Sequence, residues 1–219
     1  PGGIINRDRY QHKTAYARSK RPAYDAYLEA RKALSEKKYS AADSHINRAL
    51  KIEQREPRFH AFKGDILATQ DNWKSALTHY DNALKLDSSW FGFWLDRGVA
   101  RYKLKQTNNA KRDLEHSLKI LPTAPAHLYL GHIAKNRGDN KTAIQHYSSA
   151  SEAKGSVGDE ARKSLVRLDI PQNPGKYLKL SAALNYQGEL ILNLQNPTEV
   201  SVRNVLVTVS DGKRQWKQL

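Results

Sequence analysis

The chain has 219 residues, no cysteine and no methionine, and its 37 Lys and Arg against 22 Asp and Glu give a formal net charge of +15. Without cysteine there is no disulfide framework, no thiolate metal ligand and no cysteine nucleophile, and no apolar run approaches the roughly 20 residues of a membrane-spanning helix. The charge favours acidic partners, nucleic acid or anionic surfaces. However, the basic residues are scattered and often stand beside acids, as in Lys111-Arg112-Asp113, the pattern of a solvated surface rather than of a polyanion site.

Pro1-Gly2-Gly3 reads as a turn, and Tyr10, Tyr16 and Ala17 lie at near-helical spacing, so 1–22 is expected to be a linker or a short helix. The lack of methionine and of an opening signal segment is read as the mark of a piece of a longer protein. From residue 23 the chain repeats itself with a period of 34. In 57–90, Gly64, Leu67, Ala76, Tyr80, Ala83 and Leu84 hold the eighth, eleventh, twentieth, twenty-fourth, twenty-seventh and twenty-eighth places. The unit 91–123 repeats them with Trp94, Gly98, Ala110, Leu114, Ser117, Leu118 and Pro122. The unit 124–157 follows with Leu130-Gly131, the turn Gly138-Asp139-Asn140, then Ala143, Tyr147 and Ala150, with Gly155 where proline would stand. The first unit, 23–56, is looser but keeps Ala30, Tyr39, Ala42, Ala49 and Leu50. These are the signature places of the tetratricopeptide (TPR) repeat, and agreement of four units in one register is hard to reach by chance.

The expected fold is therefore mainly α: a TPR α-solenoid, a right-handed superhelix of helical hairpins, with a small C-terminal antiparallel β unit. Small residues at the eighth, twentieth and twenty-seventh places let paired helices approach closely, and large apolar residues fill the gaps between hairpins. After the four repeats, 159–169 reads as a cap helix with Ala161, Leu165 and Leu168 on one stripe, Asp159 at its N-cap and Pro171 past its end. Pro171-Gln172-Asn173-Pro174-Gly175 reads as a linker into a β domain over 171–219, incomplete as it stands. Its strand-like runs are 177–186, 189–194 and 200–209, the last two joined across Asn196-Pro197-Thr198, with no closing element evident after them.

No catalytic site emerges. The eight histidines show no His-Glu-x-x-His spacing; His127 and His132 are five apart, and His60, His79, His116 and His146 fall in different predicted helices. No phosphate-binding or nucleophile motif occurs, and no cofactor or metal is expected in this segment. What remains is the concave groove, lined by the first helix of each hairpin. The second, fifth, ninth, twelfth and thirteenth repeat places give Tyr24, Tyr27, Arg31, Arg58, Asp65, Leu95, Tyr102, Lys103, His132, Lys135 and Asn136. Aromatic anchors mixed with cations suit an extended, partly acidic peptide. The two-carboxylate clamp of chaperone-binding TPRs is disfavoured, since Tyr27 and Arg31 stand where it needs Lys and Asn.

The stretches Pro1-Gly2-Gly3-Ile4-Ile5-Asn6-Arg7-Asp8-Arg9-Tyr10, Glu56-Pro57-Arg58-Phe59-His60-Ala61 and Leu121-Pro122-Thr123-Ala124-Pro125-Ala126-His127 resemble the C-terminal regions of bacterial HtpX-like or BepA-like zinc metallopeptidases. The resemblance covers most of 1–170 and lacks the family's His-Glu-x-x-His. It implies an upstream catalytic domain holding the zinc, a periplasmic or cell-envelope location, and a TPR region that positions substrates or partners such as outer-membrane assembly components. The alternatives are a stand-alone TPR adaptor, cytoplasmic in that case, and a basic binder of RNA or anionic envelope polymers; nucleic acid is the less expected partner.

Overall fold

The protein is described by a computed structural model over residues 3–184, 190–198, 200–201, 207–210 and 215–218, with side chains at 19–183, 191–198, 200 and 201. It divides into two compact units, 1–133 and 134–219.

The first unit is built of antiparallel helical hairpins. Helix α1 (Gly3–Ser35) packs on α2 (Tyr39–Ile52), α3 (Pro57–Ala68) on α4 (Trp73–Leu86), and α5 (Phe91–Lys103) on α6 (Thr107–Ile120). Most of α7 (Ala124–Asn136) follows within the same unit. Where the sequence predicts a linker or short helix over 1–22, one helix runs through to Ser35 with Pro22 inside it. Pro22 lies on the exposed side, so the amide N–H it lacks is missing where water is at hand.

Alanine does much of the packing. Ala23, Ala26 and Ala30 of α1 are fully buried against Ala42, Ile46 and Ala49 of α2 and Phe59 and Ile66 of α3. A β-carbon built on Gly64 would fall 2.5 Å from the Tyr80 ring, and one on Gly98 would fall 2.9 Å from Leu114 Cγ. The eighth repeat place is therefore glycine because the partner helix occupies the space of a side chain. The turn inside each hairpin also recurs: Lys37, Asp71, Lys105 and Gly138, all at the fifteenth place, have φ of 59°, 56°, 62° and 78°. Three non-glycine residues thus sit in the left-handed region, a local strain the flanking helices impose. Two of the following helices are capped by side chains, Asn72 accepting from the Ser75 amide at 3.3 Å and Asp139 from the Thr142 amide at 3.1 Å.

The hairpins are also joined by charge. Arg97 on α5 donates to both carboxyl oxygens of Asp113 on α6 at 2.8 Å and to Asp81 on α4 at 2.8 Å. Arg101 adds a bond to Asp113 at 2.7 Å. Asp113 is 2% exposed, and its charge is tolerated because these donors surround it.

In the second unit α8 (Asn140–Ser151) packs on α9 (Ser156–Asp169). The cap helix begins three residues before the predicted Asp159, at Ser156 with Gly155 as N-cap at φ 80°; Asp159 instead lies in the first turn, paired with Arg162. The predicted linker is folded back on this helix. Asp169, 5% exposed, accepts from Asn173 at 2.7 Å, Lys176 at 2.9 Å and the Tyr177 hydroxyl at 2.6 Å, which fastens the short helix α10 (Pro174–Tyr177) to the end of α9. The Tyr177 hydrogen bond, ahead of the others, holds the Asp169 carboxyl below its ordinary range.

Strand β1 (Lys179–Leu184) pairs antiparallel with β2 (Leu190–Gln195), Lys179 opposite Gln195 and Leu184 opposite Leu190. Strand β3 (Val207–Ser210) pairs antiparallel with β4 (Gln215–Gln218). Of the predicted run 200–209, Val200 and Ser201 are not in a strand and Val207 to Val209 are, while 202–206 lie outside the described residues. Among the described residues the segment around Asn196-Pro197-Thr198 does not link two paired strands; Asn196 and Thr198 make a local turn, the Asn196 side chain donating to the Val200 carbonyl at 2.8 Å. Strand β4 does not read as a strand in the sequence, because its Gln and Lys carry little apolar signal.

Candidate functional site

An open groove of about 590 Å³ lies on the first unit, formed by α1, α3, the start of α5 and the segment between α4 and α5. Tyr27 projects from α1; Arg58, Ala61, Phe62 and Asp65 come from α3; Asp87, Ser89 and Trp90 from the connecting segment; Phe93 and Asp96 from α5. Its aromatic wall is held in place by packing: the Tyr27 ring lies 5.2 Å from Phe59 and 5.3 Å edge-on from Phe62, while Trp90 is 53% exposed and tilts on Phe91 at 4.7 Å. Exposed, rigid aromatics in a concave surface are the side chains that contribute most at protein interfaces.

Charge in the groove runs opposite to the chain as a whole. Glu56, Asp65, Asp87 and Asp96 line it, with Arg58 as the single base among the lining residues. Arg58 is engaged: its Nε donates to Glu56 Oε1 at 2.8 Å, its Nη2 to the Tyr24 hydroxyl at 2.5 Å, and its guanidinium lies 5.2 Å over the Tyr24 ring. The Tyr24 hydroxyl in turn donates to Glu56 Oε2 at 2.5 Å. Burial works against the Glu56 charge, but the bonds from Arg58 and Tyr24 outweigh it and hold this carboxyl below its ordinary value. Asp87 is held low by the Ser89 hydroxyl and amide at 2.7 and 2.8 Å.

Asp65 and Asp96 are different. Burial pushes the Asp65 carboxyl up to about 6, opposed only by the Tyr80 hydroxyl, which donates to it at 2.9 Å. Burial, and then the neighbouring Asp65 charge, push Asp96 well above the carboxylate range. Asp96 has no hydrogen-bond or ion-pair partner among the described residues.

The predicted groove residues separate into four groups. Tyr24, Tyr27, Arg58 and Asp65 are brought together, with exposed Arg31 5.8 Å over the Tyr27 ring. Leu95 and Tyr102 pack instead around Ala110, Leu114, Ala126 and Leu130, the Tyr102 ring lying edge-on to Tyr129 at 5.4 Å and stacked on His132 at 6.2 Å. Lys103 leaves the groove and lies 5.6 Å over Trp73 at the start of α4. Lys135 and Asn136, exposed at the end of α7, belong to the second unit. Of the cations expected to receive an acidic peptide, Arg58 lines this groove, where Glu56 neutralises it. Phe62 and Asp96, which the place rule missed, both stand at the sixth repeat place; the second, sixth, ninth and thirteenth places form one i, i+4, i+7 stripe that would have found them.

The histidines on separate predicted helices partly meet. His60 and His79 stack at 5.9 Å between α3 and α4, His60 Nε2 donating to the Gln54 carbonyl at 2.9 Å. Among the described residues no group of three or more His, Cys, Asp or Glu is placed to hold a metal ion, and no helix is long and apolar enough to cross a membrane.

No family model matches the chain. Subunit 3 of the anaphase-promoting complex of Schizosaccharomyces pombe is 28% identical over 162 residues, which is 70% of this chain and 22% of that protein, so the chain spans about a fifth of this curated relative. Among solved structures, MamA from Desulfovibrio magneticus RS-1 superposes with a TM-score of 0.60 at 19% identity, over 71% of this chain and 88% of that one. The Cut9 and Hcn1 hetero-tetramer of the anaphase-promoting complex gives 0.59 at 18%, over 65% and 29%. The first TPR of Spaghetti (RPAP3), bound to the HSP90 peptide SRMEEVD, gives 0.52 at 20%, over 54% and 97%. With four registers of the 34-residue signature, close-packed hairpins and these likenesses together, the chain has the fold of a tetratricopeptide-repeat protein.

Proposed function

We propose that this chain is a protein–protein interaction scaffold that holds an extended segment of a partner in the groove of α1, α3 and α5, with no cofactor of its own. The observation that carries the reading is the combination of solvent-open concavity and preformed aromatic anchors, Tyr27 and Trp90 above all. The RPAP3 repeat likewise holds a peptide, but SRMEEVD is acidic and would meet Asp65, Asp87 and Asp96 here, so the partner segment is of another kind. The finer form of the reading makes the scaffold the arm of an upstream zinc metallopeptidase in the cell envelope, presenting substrates or outer-membrane assembly components to it; it rests on the three quoted segments alone. An immunoblot of fractionated source cells, reading a band well above 24.9 kDa in the envelope, supports that form, and a band near that mass in the cytoplasmic fraction overturns it in favour of a stand-alone adaptor.

The scaffold reading is tested by panning a phage-displayed random-peptide library on the protein and repeating the binding with Tyr27→Ala/Trp90→Ala. Enriched peptides that lose at least about tenfold in affinity, with an unchanged helical circular-dichroism signal, support it. Absence of enrichment, or peptides indifferent to the double substitution, overturns it. Retained ligands that are acidic and weaken steeply with salt would instead favour a polyanion site elsewhere on the basic surface.

A further inference from the structure

The groove has four acidic side chains against one base, on a chain whose net charge is +15. Glu56 has its counter-charge in Arg58, and Asp87 has two hydrogen bonds from Ser89. Asp65 has only the Tyr80 hydroxyl, and Asp96 has no partner among the described residues, although it lines the cavity and only a minor part of it reaches solvent. A carboxyl so placed gains nothing within the fold. Its oxygens keep some contact with water but face no counter-charge among the described residues, so a cation entering the groove meets a carboxyl that nothing else neutralises. Aromatic surface stands beside the pair: Tyr27, Phe62, Trp90 and Phe93 line the same cavity. A cationic side chain has a long apolar stem and a head attracted both to carboxylates and to ring faces. The adjoining acids and aromatics are complementary to both parts.

Resting on the scaffold reading above, we infer that the groove between α3 and α5 selects a partner segment bearing an arginine or lysine, whose stem lies along the aromatic wall and whose head meets Asp65 and Asp96. The two carboxyls are the specificity determinants and the aromatics the anchors. Arg58, the one base in the groove, is neutralised by Glu56 and so does not oppose the incoming cation. The partner segment is thus basic, opposite in charge to the acidic peptide expected from the repeat places alone.

The random library used above separates this inference from the reading it rests on. Pools selected on the wild-type protein should show Arg or Lys enriched at one position beside apolar residues, and pools selected on Asp96→Asn should lose that preference while remaining apolar. A single wild-type-selected peptide is then compared with its basic-to-Gln variant by fluorescence anisotropy. Loss of charge from either side should weaken binding about tenfold, and the two losses should not add, as for one shared contact. Enriched peptides with no basic position, or equal loss of the basic-to-Gln peptide on wild type and Asp96→Asn, overturn the inference but leave the scaffold standing. A library that yields nothing overturns both. Asp65→Asn serves as a second variant, with the helical signal verifying each fold.

Discussion

Asp96 and Arg97 are neighbours on α5, yet they belong to two regions with opposite electrostatics. Arg97 faces the hairpin interior, where it joins Asp81 and Asp113 with help from Arg101, and every buried charge there has an opposite one in contact. Asp96 faces the groove beside Asp65, and neither has a cation. Consecutive helix residues diverge by about 100°, so one turn of chain can serve two surfaces. The paired region shows what this fold does with charge when stability is the only demand. The groove shows a departure from that practice, the kind of local inconsistency expected where a surface is shaped for something other than folding.

The largest test breaks the paired region. Arg97→Met should destabilise the protein by about 3 kcal/mol in denaturant unfolding, because it leaves Asp113 buried with Arg101 alone. Adding Asp113→Asn should recover much of that loss, and a single variant as stable as wild type would mean the network contributes nothing net. Gly98→Leu strikes the packing beside it: with Leu114 Cγ 2.9 Å from the built β-carbon, the new side chain should cost roughly 1–3 kcal/mol, and a neutral result would undo the helix register.

Asp96→Asn sharpens the contrast, since it should stabilise rather than destabilise. The sign follows from the raised carboxyls. Asp65 titrates at about 6 in the fold against an ordinary 3.8, so the folded state binds the proton more tightly; this contribution is complete below 3.8 and is lost as pH rises through about 6. Wild-type stability should therefore decline across that interval by roughly 1–3 kcal/mol from this pair, against the usual rise from paired carboxylates. Asp96→Asn should flatten the decline and gain stability at pH 8, as read by thermal unfolding at both ends of the range. The smallest effect lies away from both regions: Lys105→Gly relieves a φ of 62° and should raise stability by up to about 1 kcal/mol without altering the pH profile. A loss on thermal unfolding would show that the flanking helices accommodate the turn at no cost.

Much of the fold was legible along the chain because close packing leaves a compositional trace. Gly64, Gly98, Ala76 and Ala110 recur at fixed places because a neighbouring helix stands too near for anything larger, and that constraint repeats with the hairpin. The β tail was less legible. Its strands are short, and β4 reads Gln-Trp-Lys-Gln with no alternating apolar pattern, so strand pairing rather than composition defines it. The start of α9 at Ser156, ahead of an acidic residue that looked like a cap, was likewise settled by the turn at Gly155.

The amino-acid order by itself determined the repeat, its register, the helical hairpins and the aromatic and basic character of the chain, since each depends on spacings within about one repeat. Only the tertiary structure decided which charges are spent. Arg58 reads as a free cation along the chain but is held by Glu56 and Tyr24, from before its own helix and from the previous repeat. Lys103 lies over Trp73, and Tyr102 packs against Tyr129. Asp65 and Asp96, 31 residues apart, come together uncompensated because α3 and α5 stand side by side in the hairpin stack. Pairing between charges depends on distances through space, and those are set by how successive hairpins lie against one another.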